Sequence, residues 1–164
     1  MKEPVLSTYK ILKEKAFNAD INESWINWAI EMIEVGYESL NLYELAGTIR
    51  PYNQFELQVL TNKVFKDLKL NFSDKTKTLE NYIYFLLTSN IDKPENYYRV
   101  LQEFRDIYYE LDMHSDYREF ADLYWAKEDL IYSESQWYWI GADRSNIDRI
   151  IKEYFEQWII KLKK

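Results

Sequence analysis

Glycine and proline are scarce in this chain, which has three of each among 164 residues. β-Hairpin turns and flexible linkers draw heavily on these two residue types. Apolar residues meanwhile recur at steps of three and four over most of the chain, which is the spacing of an α-helix. The sequence therefore predicts an all-α fold of about seven or eight helices joined by short connections.

The clearest helical pattern lies at the end of the chain, where apolar residues between 147 and 162 fall on one face. Ser145 is predicted to be the N-cap of this helix. A second strong pattern begins at Asp92, which we expect to cap a helix with Pro94 in its first turn. Weaker patterns predict further helices near residues 5–16, 40–49, 53–68, 79–86 and 115–124.

The stretch between Asn22 and Gly36 is apolar on almost every side. A helix is predicted to begin after Asn22 and to end at Gly36, which is a suitable left-handed C-terminal residue. Trp25 and Trp28 lie one turn apart here, which favours core packing over a stacked cofactor. A helix with so narrow a polar stripe is predicted to lie near the centre of the fold. Ser39 and Asn53 are predicted to cap the two helices that follow.

The length of the chain predicts a single domain over residues 1–164, because one core commonly reaches this size. The absence of cysteine fits a reducing compartment. The N-terminus has no long apolar stretch behind a basic start, so no signal peptide is predicted. No run approaches the ~20 apolar residues that span a bilayer. We therefore expect a cytoplasmic protein without membrane association.

The formal charge of −7 argues against a nucleic-acid partner, because phosphate contacts require clustered lysine and arginine. The same charge would attract and concentrate a basic protein. It is also the charge that keeps an ordinary protein in solution. The sequence thus predicts no nucleic-acid binding and allows a basic protein partner, with the oligomeric state left open.

The side chains that usually carry chemistry are nearly missing, because the chain has no cysteine and one histidine, His114. Glu110 precedes His114 by four residues, but a zinc site needs three or four ligands. A catalytic serine could use only His114 as its base, and no glycine-rich loop is present to hold phosphate. We therefore predict a non-catalytic protein without a metal or another cofactor.

Two alternatives remain open on the sequence. Acidic pairs could form a carboxylate-based enzyme, with Mg²⁺ as a suitable ion. The candidate pairs are Glu128 with Asp129, Asp112 with Asp116, and Asp106 with Glu110. The abundant tyrosine and tryptophan could instead line a pocket for a small molecule.

Three consecutive aromatic residues, Trp137, Tyr138 and Trp139, interrupt the helical pattern just before Gly141. Such a run suits an extended segment or a tight loop better than a helix. Tryptophan and tyrosine are enriched among the residues that dominate protein interfaces. Nearby acids would steer a basic partner toward these rings. The predicted partner-binding residues are Glu128, Asp129, Glu134, Trp137, Tyr138, Trp139 and Asp143.

The same aromatic segment could instead close the open end of the helical core. If the segment is extended, Trp137 and Trp139 point to one side, whereas Tyr138 and Ile140 point to the other. Core closure and partner binding can then occupy opposite sides of the segment.

The stretch from Trp25 to Leu70 carries several short motifs. They are Trp25-x-x-Trp28-Ala29, Gly36-Tyr37-Glu38-Ser39-x-Asn41-Leu42, Leu45-Ala46-Gly47 and Pro51-x-Asn53-x-Phe55-Glu56. In these motifs the chain resembles small helical bacterial proteins of largely unassigned function, some of them similar to immunity proteins of polymorphic toxin systems. The resemblance covers about a quarter of the chain. It implies a toxin-neutralising or other binding role, with no functional residue carried over.

Overall fold

A computed structural model describes residues 2–163 and contains eight α-helices and no β-strand over that range. The all-α prediction and the predicted number of helices are confirmed. The helices are α1 Thr8–Ala16, α2 Glu23–Glu34, α3 Leu40–Ala46, α4 Gln54–Leu68, α5 Lys75–Asn90, α6 Tyr97–Glu110, α7 Arg118–Tyr132 and α8 Ile147–Leu162. Short 3₁₀ turns, Pro94–Asn96 and Ser115–Tyr117, precede α6 and α7.

The chain divides into two compact units. The N-terminal unit is Met1–Tyr82 and the C-terminal unit is Ile83–Lys164, so the division falls within α5. Each unit has its own set of buried apolar side chains. The single domain expected over residues 1–164 stays a prediction.

Helix α2 provides the core of the N-terminal unit. Trp25 and Trp28 are both fully buried. The Trp25 ring stacks on Phe65 of α4 at 5.9 Å between centroids, and the Trp28 ring meets Phe65 edge-on at 5.8 Å. The indole N–H of Trp25 donates to Glu14 (2.7 Å), and that of Trp28 donates to Thr8 (2.9 Å). Both tryptophans are core residues, as their spacing indicated.

The predicted N-caps Ser39 and Asn53 are confirmed, and Asn22 caps the helix that was expected to begin after it. The side-chain oxygen of Asn22 accepts from the amide of Ser24 (3.0 Å) at the start of α2. Ser39 caps α3 and Asn53 caps α4 through bonds of 3.2 Å each. Gly36 has a φ of +94°, so it supplies the left-handed conformation that follows α2.

Two predicted N-caps, Ser145 and Asp92, are wrong. Helix α8 begins at Ile147, and Ser145 lies in the turn before it, where its amide and hydroxyl donate to the Asp143 carboxylate. Asp92 pairs instead with the ammonium of Lys152 (2.9 Å). Neither residue directly precedes its helix, because residues 94–96 form a 3₁₀ turn before α6 and residues 143–146 form a hydrogen-bonded turn before α8.

The core of the C-terminal unit centres on the ring of Phe120 in α7. This ring lies 4.2 Å from Phe104 of α6, and 5.0 Å from both Tyr154 and Trp158 of α8. All four side chains are buried. Aromatic pairs in such geometries add stabilisation beyond the area that they bury. Phe120 thereby joins the three long helices of this unit.

Two phenylalanines of α4 provide a matched test of ring burial. Phe65 is 1% exposed and Phe55 is 81% exposed. We expect Phe65→Ala to lower the free energy of unfolding by about 3–5 kcal/mol, because it leaves a cavity between two indoles. Phe55→Ala should change it by less than about 0.5 kcal/mol. Chemical denaturation followed by tryptophan fluorescence measures both, and equal losses would contradict this account of the core.

Candidate functional site

Residues 133–146 connect α7 to α8 and form what we call the aromatic loop. Helix α7 ends at Tyr132, and the amide of Ser133 donates to the carbonyl of Asp129 (2.8 Å). Bends and turns follow until Ile147, without helix or strand. The tight loop that the sequence allowed is confirmed, and the extended segment is not formed.

The carboxamide of Gln136 organises the first half of the aromatic loop. Its oxygen accepts from the amides of Tyr138 (2.9 Å) and Trp139 (2.8 Å). Its nitrogen donates to the carbonyls of Trp139 (2.5 Å) and Ala142 (3.0 Å). One neutral side chain thus forms hydrogen bonds to four backbone groups of the turn.

The second half of the loop is held by Asp143 and Asn146. The Asp143 carboxylate accepts from the amides of Ser145 (2.8 Å) and Asn146 (3.2 Å). Asn146 returns a bond by accepting from the Asp143 amide (2.7 Å). Hydrogen bonds from Ser145, then from the Asn146 amide, hold the pKa of Asp143 below its usual range. Arg144 donates to the carbonyl of Leu130 (2.8 Å) and so ties the loop to α7.

The ordered loop displays apolar side chains to solvent. Trp137 is 91% exposed, and Ile140 is fully exposed. Tyr138 is about half exposed, and α7 adds Ile131 and Tyr132 immediately before the loop. These five residues, which we call the loop surface, are Ile131, Tyr132, Trp137, Tyr138 and Ile140.

Trp139 behaves differently from its neighbours. It is half-buried, and its ring meets Tyr154 of α8 edge-on at 5.7 Å. Trp137 and Trp139 therefore do not share a side of the segment, because Gln136 turns the backbone between them. Trp139 packs against the core, whereas Trp137 is exposed to solvent.

The four predicted acids have unequal surroundings. Glu134 is exposed within the loop, and Asp129 is half-buried at the end of α7. Glu128 is half-buried and accepts from two tyrosine hydroxyls, those of Tyr98 (3.2 Å) and Tyr124 (3.3 Å). One oxygen of Glu128, Oε1, takes both bonds, and one oxygen of Asp143, Oδ1, takes those of its turn. Glu134 is the most available of the four for a partner.

A ladder of rings beneath the loop was not anticipated from the sequence. The guanidinium of Arg105 lies 4.3 Å from the ring centroid of Tyr124, which in turn lies 5.4 Å from Tyr98. Trp125 extends the ladder toward the loop, 6.3 Å from Tyr138. Burial, with a contribution from the Tyr98 hydroxyl, raises the pKa of Tyr124. The spacing of residues within one helix does not reveal this pairing, because the rings come from α6, α7 and the aromatic loop.

Residues 2–163 contain no cluster of three or more His, Asp or Glu side chains arranged to hold a metal ion. His114 is exposed after the end of α6, and its Nδ1 accepts from the amide of Asp116 (3.2 Å). None of the helices in the described range is long and apolar enough to cross a membrane.

Lys15 of α1 is a second unusual residue, and the sequence analysis did not single it out. Its side chain is 6% exposed. The ammonium donates to the carbonyl of Gln58 (3.1 Å), the carboxamide oxygen of Gln58 (2.9 Å) and the hydroxyl of Thr61 (2.9 Å). Burial lowers the pKa of Lys15 from the ordinary 10.5 to about 8. Its spacing from Thr8 and Ile11, which are also buried, was the available signal.

Comparison with known proteins gives no family assignment. No protein-family model, curated protein or solved structure matches this chain significantly. The resemblance to immunity proteins therefore stays a prediction, and function must be argued from the side chains themselves.

The role of Gln136 can be tested with Gln136→Leu, which keeps the size of the side chain and removes its four hydrogen bonds. We expect the amides of Tyr138 and Trp139 to exchange with solvent about tenfold faster or more, because a lost bond of this kind is worth roughly 1–3 kcal/mol. Hydrogen exchange measured by NMR reports this directly. Glu134→Gln is the control in the same loop, and unchanged protection in Gln136→Leu would show that another contact orders the loop.

The burial of Lys15 predicts a specific dependence of stability on pH. With a pKa near 8 when folded and near 10.5 when unfolded, the unfolded chain binds more protons between these values. The free energy of unfolding, compared with that of Lys15→Met, should therefore rise as the pH rises from 8 to 10.5 and stay level below 8. The slope cannot exceed about 1.4 kcal/mol per pH unit for one proton. Denaturation of both proteins across this range measures the difference, in which the titration of tyrosines cancels. A flat or falling difference would contradict a lowered pKa.

Proposed function

We propose that this protein is a non-catalytic binding protein that captures a protein partner through the loop surface. The observation that carries this proposal is Trp137, which is 91% exposed on a loop whose backbone is held by internal hydrogen bonds. Exposed apolar groups that gather in one place commonly mark interaction sites. Tryptophan and tyrosine are also the side chains that most often dominate interface energetics.

The order within the loop strengthens the proposal. Gln136 and Asp143 fix the turn by side-chain hydrogen bonds that do not require a partner. A surface that is ordered before binding loses less conformational freedom when it binds. Large rings with only two rotatable side-chain bonds add contact area at small entropic cost. These features suit an anchor held ready for a complementary pocket.

Charge favours a basic partner. The chain has a formal charge of −7, and Glu134 stands exposed within three residues of Trp137. Long-range attraction would accelerate the encounter, and the indole could receive a lysine or arginine on its face. As the specific form of this proposal, we suggest inhibition of a basic toxin by an immunity-type protein of bacterial origin. That form is supported by the acidic charge and by the motifs between Trp25 and Leu70.

Carboxylate chemistry is less well supported by the same side chains. One oxygen of Glu128 accepts from two tyrosines, and Asp106 pairs with Arg105 at 2.7 Å. A catalytic pair needs acids that face each other in a cleft with pKa values driven apart. A binding role uses the exposed rings as they stand, and it needs no such pair.

Trp137 and Ile140 are the residues to substitute in a test of partner binding. Both are almost wholly exposed, whereas Trp139 packs on Tyr154 and Asp143 forms its turn. We expect Trp137→Ala with Ile140→Ala to weaken binding of the partner by at least about 30-fold, which corresponds to roughly 2 kcal/mol for a dominant interface residue. The thermal midpoint of unfolding should stay unchanged.

The measurement has two stages. Wild-type and variant proteins first serve as immobilised baits in extracts of the native host, with proteins identified by quantitative mass spectrometry. Any protein lost from the variant is then purified, and its dissociation constant is measured. Leu40→Ala with Ile49→Ala is the matched control, because it removes two apolar side chains that are 84% and 81% exposed in the other unit. Equal affinity of the wild type and the loop variant for every captured protein would refute the loop surface as the binding site.

A further inference from the structure

A groove of about 550 Å³ opens beside Lys15 in the N-terminal unit. This volume lies within the range typical of small-molecule sites. The groove combines one buried cation, several carboxamides and an apolar wall. Its lining residues are Lys15, Asn18, Asp20, Gln54, Phe55, Gln58, Val59, Asn62 and Phe72.

The ammonium of Lys15 lies at the base of the groove, where its N–H donors are hydrogen-bonded but it has no counter-ion among the described residues. All three hydrogen bonds of the Lys15 ammonium go to neutral oxygens of Gln58 and Thr61. Within residues 2–163, no carboxylate forms an ion pair with it, and Asp20 at the edge of the groove is exposed. Neutral acceptors replace lost water contacts, but they do not balance a buried charge. An anion that reaches Lys15 from the groove would balance this charge.

The wall of the groove offers apolar surface to the body of such an anion. Phe55 is exposed at the start of α4, and Val59 follows one turn later on the same face. Phe72 is half-buried, and its ring packs on Phe65 at 5.4 Å. One ring is therefore anchored in the core and the other is free to close on a guest. A flat apolar group fits between such rings better than a polar one.

We propose that this groove binds a small amphipathic carboxylate, with its anionic head at Lys15 and its flat apolar body against Phe55 and Phe72. The head takes the place of the Gln58 carboxamide oxygen, which now accepts from Lys15 at 2.9 Å. Hydrogen bonds to an ionised acceptor are roughly twice as strong as those to a neutral one. The exposed carboxamides of Asn18 and Asn62 offer further donors at the rim. This site is independent of the loop surface and of its partner.

The backbone around the groove is held in place without a ligand. The Gln54 carboxamide makes a reciprocal pair with Ile21, accepting from its amide and donating to its carbonyl, at 2.8 Å each. Gln58 donates to the carbonyl of Ala19 (3.1 Å). The connection between α1 and α2 is thereby fixed against α4. The groove is preformed except at the Gln58 carboxamide, which moves as a unit when the anion takes its place and gives up its bond to Ala19 as well.

The test uses the full chain and two probes of the same shape, 3-phenylpropionate and its uncharged analogue 3-phenylpropionamide. We expect saturable binding of the carboxylate at neutral pH, at least about tenfold tighter than that of the amide. Amide shifts in NMR spectra measure the affinities and should centre on the residues that line the groove. The pKa of Lys15, followed by the shift of its ε-carbon, should rise when the carboxylate is bound, because an anion favours the ammonium.

Three variants complete the test. Lys15→Met should abolish the preference for the carboxylate over the amide. Phe55→Ala should weaken both probes by about threefold or more while the preference remains. Tyr109→Ala, which removes an exposed ring from the C-terminal unit outside the loop surface, should change neither affinity.

Several results would overturn the proposal. They are a lack of saturation at millimolar probe, equal affinities for the two probes, or a carboxylate preference that survives in Lys15→Met. If Lys15→Met does not fold, the unmutated protein decides the question, since an unchanged pKa of Lys15 at saturating carboxylate also rejects the site.

Discussion

The packing of large aromatic rings around one phenylalanine in each unit is the interaction on which the rest of the molecule depends. Phe65 holds both tryptophans of α2, and Phe120 joins α6, α7 and α8. Burial of such a ring contributes roughly 1.5–3 kcal/mol, and each ring pair adds about 0.5–1.5 kcal/mol. Rings with a polar edge also demand a hydrogen-bond partner, which Glu14 and Thr8 supply for the two indoles. The cores are therefore specific in geometry as well as apolar.

The aromatic loop inherits its order from the C-terminal core. Trp139 rests edge-on against Tyr154, whose ring already packs on Phe120. This inward ring and the bond from Arg144 to Leu130 attach the loop to the helices, and Gln136 then determines the path of the backbone between them. Trp137 is left outside because the turn points it away from any helix. An indole that is exposed on an ordered backbone is available for contact with a partner. A mobile loop would lose conformational entropy when it made the same contact.

Local sequence was sufficient where the deciding partner lies nearby in the chain. Periodic apolar residues located the helices, and caps such as Asn22, Ser39 and Asn53 bond to amides two or three residues away. Asp92 was mistaken for a cap because its partner, Lys152, comes 60 residues later. Ser145 was mistaken for a cap because the turn held by Asp143 delays the start of the helix to Ile147.

The candidate site was predictable as a segment but not in its details. Three adjacent aromatic residues before a glycine indicated the loop, and their chemistry indicated contact. Which ring turns inward depends on the carboxamide of Gln136, whose role no spacing rule reveals. Lys15 was harder still, because a lysine is expected at the surface and its three acceptors lie on a helix some 40 residues away.

The two candidate sites are opposite exceptions to the usual division of polar and apolar groups. One places an indole in water, and the other places an ammonium out of it. A carboxamide stabilises each exception, Gln136 in the loop and Gln58 beside Lys15. A carboxamide donates and accepts at once and carries no charge, so it can order a backbone or satisfy a buried cation without introducing a counter-charge. That neutrality leaves the indole uncovered and the ammonium unbalanced, and it is the reason that both positions retain a capacity to bind something else.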